Sequence, residues 1–174
     1  MPDDATLLAD YRTACDGFTD AVHAVGERWD APTPAQEGDT GQVFEHVMGS
    51  LDGLLLQPLD VVPGEQSDDH EKRWSAAIDA LFPVLGQPGA LDKRRLLVGI
   101  LTVDVLIHAW DLSRAVGLEL SLDPGLCQAG YDRSLANRTL LEEAGAIEAP
   151  VSVPDDAPIQ DRLLGLYGRD PGWG

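Results

Sequence analysis

The chain has 174 residues, 44% hydrophobic and 6% aromatic, with 30 acidic against 12 basic side chains and a formal net charge of −18. That length suits one domain, spanning 1–174, with a core large enough to hold without staples. Such an acidic surface repels phosphate backbones and anionic lipid, which argues against nucleic-acid and membrane partners.

The stretch Met1 to Asp10 is acidic and lacks the basic, then apolar, pattern of a secretory signal, so a cytoplasmic location is expected. The first predicted helix follows it. Leu8, Tyr11, Cys15, Phe18, Val22 and Val25 recur at alternating steps of three and four, the seam of a bundle helix. Asp3 and Asp4 are natural caps at its start and Gly26 suits its end. A Pro-rich connection, Trp29 to Gly38, comes next.

A second helix is expected from Asp39 or Thr40, with Val43, Phe44, Val47, Leu51, Leu54 and Leu55 as its apolar face and Pro58 as its stop. Residues Leu59 to Gln66 read as loop. A third helix, capped by Ser67 or Asp68, carries Trp74, Ala77, Ile78, Leu81 and Leu85, and Pro83 should kink or end it. The fourth runs from about Asp92 to Val116, closed by Gly117. Its middle, Leu96 to Ile107, is apolar nearly all round, which marks the most buried helix. No apolar run approaches the ~18 residues a membrane span needs. A fifth helix spans about Asp123 to Ala144, with Pro124 at its first position, and Pro158 opens a last short helix ending near Gly168. No segment alternates as a strand does. The pattern predicts an all-α fold, an antiparallel four-helix bundle with an additional C-terminal helix.

Asp104 and His108 lie four residues apart and continue the stripe Leu97, Ile100, Leu101 into the bundle. A carboxylate in such surroundings is costly unless paired or bound to a metal. Carboxylate and imidazole at this spacing can grip one ion from the same side, and His46 on helix two is the natural third ligand. Two histidines and a carboxylate leave coordination positions open, as catalytic metals require. The structural alternative is a buried Asp104–His108 pair, with His46 a hydrogen-bonded core histidine. His23 shares its helix face with Asp16, Asp20 and Glu27, and His70 falls in an acidic first turn, so both read as surface residues. Cys15 and Cys127 read as small buried hydrophobes. Lys93-Arg94-Arg95, at a helix start, could hold an anion but reads rather as surface pairing with the many nearby acids, and Glu142-Glu143 reads as a solvated face. A phosphate loop, a nucleophile elbow and an HExxH motif are all absent from the sequence.

The run Asp104-Val-Leu-Ile-His-Ala-Trp-Asp-Leu-Ser-Arg-Ala-Val-Gly117 resembles the signature of an actinobacterial branch of the DinB-like superfamily. That branch is related to the metal-binding domain of mycothiol-dependent maleylpyruvate isomerase. Asp30-Ala-Pro-Thr-Pro34 and the tail from Val151 through Gly168-Arg-Asp-Pro-Gly-Trp173 agree with it, so the likeness covers nearly the whole chain. The resemblance implies a four-helix bundle, often dimeric, holding zinc or a similar ion (Fe, Ni or Mn) on His46, Asp104 and His108. It also implies metal activation of a small thiol, usually mycothiol, for transfer to or isomerisation of a small-molecule substrate. Asp111 and Arg114, further along the same helix, are the weak catalytic candidates, as outer contacts to the ligands or substrate; the alternative is an ion pair with each other. The family's Cys-Pro-Gly-Trp is replaced by Ala35-Gln-Glu-Gly38, and the connection between helices three and four is shorter. Both changes fall near the expected mouth of the site. They favour a version without the thiol, a metal-dependent isomerase, cyclase or hydrolase of specialised metabolism. A non-catalytic metal or ligand carrier is the third reading.

Overall fold

The computed structural model describes residues 3–36, 38–64, 67–143, 145, 147 and 149–174. They form an all-helical bundle: α1 (Asp4–Val25), α2 (Thr40–Leu51), α3 (His70–Leu85), α4 (Arg95–Ala115), α5 (Pro124–Ala136), α6 (Arg138–Glu143) and α7 (Ile159–Leu166). Among the described residues no strand occurs, only an isolated bridge between Pro32 and Asp39.

Named contacts fix the helix directions. Asp4 pairs with Arg95 at one end of the bundle, and Arg28, just past α1, donates to the Val116 carbonyl at the other (3.1 Å). Helices α1 and α4 therefore run the same way. Opposite to them runs α3: Trp74 Nε1 donates to Thr19 Oγ1 at 2.8 Å, while Phe82 lies 5.7 Å from the Tyr11 ring. Helix α2 also opposes α4, for His46 sits level with Asp104 while Arg94 reaches the Pro58 carbonyl (3.0 Å). The four helices are thus two parallel pairs packed antiparallel to each other. On α4, Arg133 of α5 reaches the Gly99 carbonyl (2.7 Å), and α7 rests on α5 through a 2.8 Å Ser134–Tyr167 hydroxyl contact.

The core is the seam read from α1 together with its partners. Tyr11, Cys15, Phe18, Val22 and Val25 are buried, and Phe18 packs between Trp74 (4.7 Å) and Phe44 (6.4 Å). Helix α4 is buried continuously from Leu101 to Ile107 save for Asp104. Its 21 residues are long and apolar enough on average to cross a membrane, with a mean hydropathy of 1.6 over the most apolar window, although 78% of that window is buried within the bundle. This corrects the expectation of no apolar run near that length: Asp104 and the other polar residues of α4 interrupt the run without bringing its average down.

Several boundaries depart from expectation. Helix α2 begins as predicted, with a capping box between Asp39 and Gln42. It does not run regularly to Pro58; a π turn (Asp52–Leu56) and a short 3₁₀ turn (Gln57–Leu59) intervene. The wider turn rotates the following side chains, so Leu55 and Leu56 are buried and Leu54 is 42% exposed. Helix α3 is capped by Asp69, through Lys72 N, rather than by Ser67 or Asp68. It passes through Pro83 to Leu85, and Pro83 neither ends it there nor removes more than one bond near its last turn. Helix α4 starts at Arg95, three residues later than predicted, after a run of turns. The predicted fifth helix is broken at Asn137, whose side-chain amide donates to the Arg133 carbonyl (2.8 Å) and competes with the helical ladder. Its predicted end, Ala144, and the predicted loop end, Gln66, lie outside the described residues, as does Glu37 of the Ala35–Gly38 segment.

Candidate metal centre

Helix α2 presents His46 and α4 presents Asp104 and His108 across the α2–α4 contact. One ligand atom from each of the three lies within 4.8 Å of the others. Asp104 Oδ1 is 3.6 Å from His46 Nε2 and 3.6 Å from His108 Nε2, and the two imidazole rings are 4.9 Å apart at their centres. Separations of 3.6 Å exceed an ordinary hydrogen bond. They leave room for an ion between the three groups. Asp104 Oδ2 is buried with no hydrogen-bond partner. A carboxylate with one oxygen orphaned and the other near two imidazole nitrogens is a donor set that fits a divalent cation.

The three ligands differ in exposure. The His108 side chain is 5% exposed, Asp104 23% and His46 38%, so the cluster opens to solvent on the His46 side. Burial pushes the Asp104 carboxyl up, but the two imidazoles, His46 foremost, outweigh it and hold it below the ordinary carboxylate value. Burial also works against a charged His108. The bond to Asp111 and the charges of Asp104 and Asp111 prevail and hold its imidazole above the ordinary value.

Asp111 and Arg114 do not pair with each other. Asp111 is fully buried and its Oδ2 accepts from His108 Nδ1 at 2.9 Å. That bond places the ring proton on Nδ1 and turns the Nε2 lone pair toward Asp104 and His46. Arg114 instead donates through Nε to the Trp173 carbonyl (3.1 Å) and lies over the Trp110 ring. The charge that balances Asp111 comes from Arg169, which sequence reasoning left without a role. Its Nη2 donates to Asp111 Oδ2 at 3.0 Å and its Nε lies 3.3 Å from both oxygens. A carboxylate inside the most apolar helix signals that some cation is needed, but nothing in the sequence singles out Arg169 of the tail.

The other polar residues singled out in the sequence stay outside this centre. His23 is exposed and meets Glu71 at 3.3 Å. His70 is not a plain surface residue: it stacks on Trp29 (3.8 Å between centres) and meets the Phe44 edge at 4.6 Å, and burial holds its imidazole below the usual value. Cys15 and Cys127 are buried free thiols. Of the basic cluster, Arg95 pairs with Asp4, whereas Arg94 serves backbone carbonyls rather than acids. Glu142 is exposed and holds Arg138 at 2.6 Å.

The chain is similar to two uncharacterised proteins from two strains of Mycobacterium tuberculosis. Each is 27% identical to it over 183 aligned positions, covering 93% of this chain and 97% of the relative. The likeness is therefore one of whole chains. No family model matches the sequence, and no solved structure matches it.

Proposed function

We propose that this chain is a metal-dependent enzyme of small-molecule metabolism, with a divalent ion, zinc foremost, held by His46, Asp104 and His108. The observation that carries the reading is one carboxylate, Asp104, whose Oδ1 stands 3.6 Å from each of two imidazole nitrogens, beyond an ordinary hydrogen bond, and whose buried Oδ2 has no hydrogen-bond partner. A self-contained polar cluster would have closed those gaps with hydrogen bonds, because an unsatisfied buried carboxylate oxygen is costly. The sequence resemblance to the DinB-like superfamily supports the same ligand set.

When bound, a divalent ion at this centre would supply Lewis acidity, either lowering the pKa of a thiol such as mycothiol or polarising a substrate carbonyl. Asp104 provides the one anionic ligand and offsets half the charge of the cation. Asp111 keeps the His108 proton on Nδ1 and so frees Nε2. His46, the most exposed of the three, leaves the outer side of the centre open for a small substrate. Replacement of the family's Cys-Pro-Gly-Trp by Ala35-Gln-Glu-Gly38 favours carbonyl activation over thiol transfer. The acidic surface suits a cytoplasmic protein that binds small molecules rather than nucleic acid or membrane.

The test is elemental analysis of protein purified without chelator, then zinc titration of wild type and His108→Ala. The expected result is about one ion per chain for wild type and none for the variant. Wild-type protein that neither carries nor takes up metal sinks the proposal. A thiol-transfer assay with mycothiol then separates the two chemistries. A small molecule bound tightly at the metal and recovered unchanged would favour the carrier reading instead.

A further inference from the structure

Arg169 lies on the segment just after α7, far along the chain from the histidines, yet it is 4% exposed and both oxygens of Asp111 are within its reach. Its Nη1 also donates to the Tyr167 carbonyl at 2.9 Å, which fixes the guanidinium from the opposite side. A guanidinium has only donors. With the guanidinium on both carboxylate oxygens, Asp111 can meet a third group only as an acceptor, where the guanidinium leaves an approach open. His108 Nδ1 takes that position at 2.9 Å.

A lone carboxylate on a helix can rotate about its side-chain bonds and carry a hydrogen-bonded imidazole with it. Asp111 is prevented from doing so, because Arg169 holds it from a second element of the fold. The chain of contacts runs Tyr167 carbonyl, Arg169, Asp111, His108, and ends at the Nε2 that faces Asp104. Of the four side chains along it, Asp111, His108 and Asp104 all stand on α4, and Arg169 alone comes from another element.

We propose that Arg169 is a positioning residue of the metal centre: by clamping Asp111 it fixes the ring orientation of His108 and so the geometry of the bound ion. This rests on the metal reading above. Partners of this kind, which orient a ligand without touching the metal, commonly contribute 10–100-fold to affinity. Arginine is suited to the task in a way lysine is not, because a planar fork fixes both carboxylate oxygens and a single ammonium fixes one.

The experiment measures zinc affinity by chelator competition, and the visible spectrum of the cobalt(II)-loaded protein, for wild type, Arg169→Met and Arg169→Lys. Cobalt absorption reports coordination geometry directly, so it does not move when a distant ion pair merely stabilises the fold. Arg169→Met is expected to weaken zinc binding by about tenfold or more. Arg169→Lys, which keeps the charge and loses the fork, should show a smaller loss and an altered cobalt spectrum. If Arg169→Met does not fold because Asp111 is stranded, the lysine variant decides alone. Folded Arg169→Lys with wild-type zinc affinity and a wild-type cobalt spectrum overturns the proposal and leaves the metal reading standing. Wild-type protein that binds neither ion overturns the metal reading and this proposal with it.

Discussion

At the scale of single residues, the centre is an argument about one carboxylate. Asp104 has no partner for Oδ2 and meets the two imidazoles only at 3.6 Å through Oδ1, so removing its charge breaks no close hydrogen bond of the metal-free fold. Asp104→Asn keeps the shape and removes the charge. It should weaken zinc binding by orders of magnitude, yet change metal-free stability by no more than about 1 kcal/mol. Denaturant unfolding with and without chelator checks this; a large loss equal in both conditions would return Asp104 to a purely structural role. The triad was legible in the sequence because the i, i+4 spacing and an apolar helix speak for themselves. Arg169 was not, since nothing local connects an arginine in a Pro-Gly tail with an aspartate in α4. Asp111 consequently seemed to belong with Arg114, its neighbour one turn on. The thiols give a second test at this scale. Burial pushes Cys127 from an ordinary 9.0 up to about 11, and pushes Cys15 further still. Raised pKa values favour the neutral thiol in the folded state, so that contribution is intact below pH 9 and fades as pH rises through 11. Folded protein at about pH 8 should resist alkylation at both cysteines, whereas denaturant should expose both. Rapid labelling of the native protein would show that the interior opens there.

At the scale of elements, α7 and the extended segment before it meet through a glycine. A Cβ on Gly165 would sit 2.4 Å from Val153 Cγ2 and 2.9 Å from the Val151 carbonyl oxygen, and Val151 N already donates to the Gly165 carbonyl at 2.9 Å. The side chain could yield but the backbone could not without losing that bond. Gly165→Ala should therefore cost about 1–3 kcal/mol, read as a lower denaturation midpoint. An unchanged midpoint would mean that the segment moves away freely. The starts of α1, α2 and α5 were readable, because Asp3, Asp39 and Asp123 each accept from the backbone N–H three residues on. Helix interiors were less so. The π turn after Leu51 and the break at Asn137 arise where packing and a side-chain amide override a periodic pattern. Neither leaves a mark in the spacing of apolar residues.

For the whole molecule, charge dominates. With a net charge of −18 the surface repels itself, and salt screens that repulsion, the Debye length falling to ~10 Å at 0.1 M. The melting temperature should rise as sodium chloride is raised from low concentration to about 0.5 M. A fall would mean that attractive pairs such as Arg73–Glu45 outweigh the general repulsion. Fold class was readable at this scale from helical periodicity throughout. The directions of the helices were not, because periodicity says which face is buried and is silent on which neighbour buries it.

The parallel run of α1 and α4 also sets an order of events. The seam of α1 is closed chiefly by a helix that follows only after two others have been made, so its aromatic and aliphatic side chains must wait for their cover. Contacts between segments so remote in sequence are slow to form, because a long loop must close before any burial repays it. The docking of α4 is also what brings Asp104 and His108 to His46. An ion that favours the assembled cluster would thus act on the late closing step, and its presence would be felt as slower unfolding more than as faster folding.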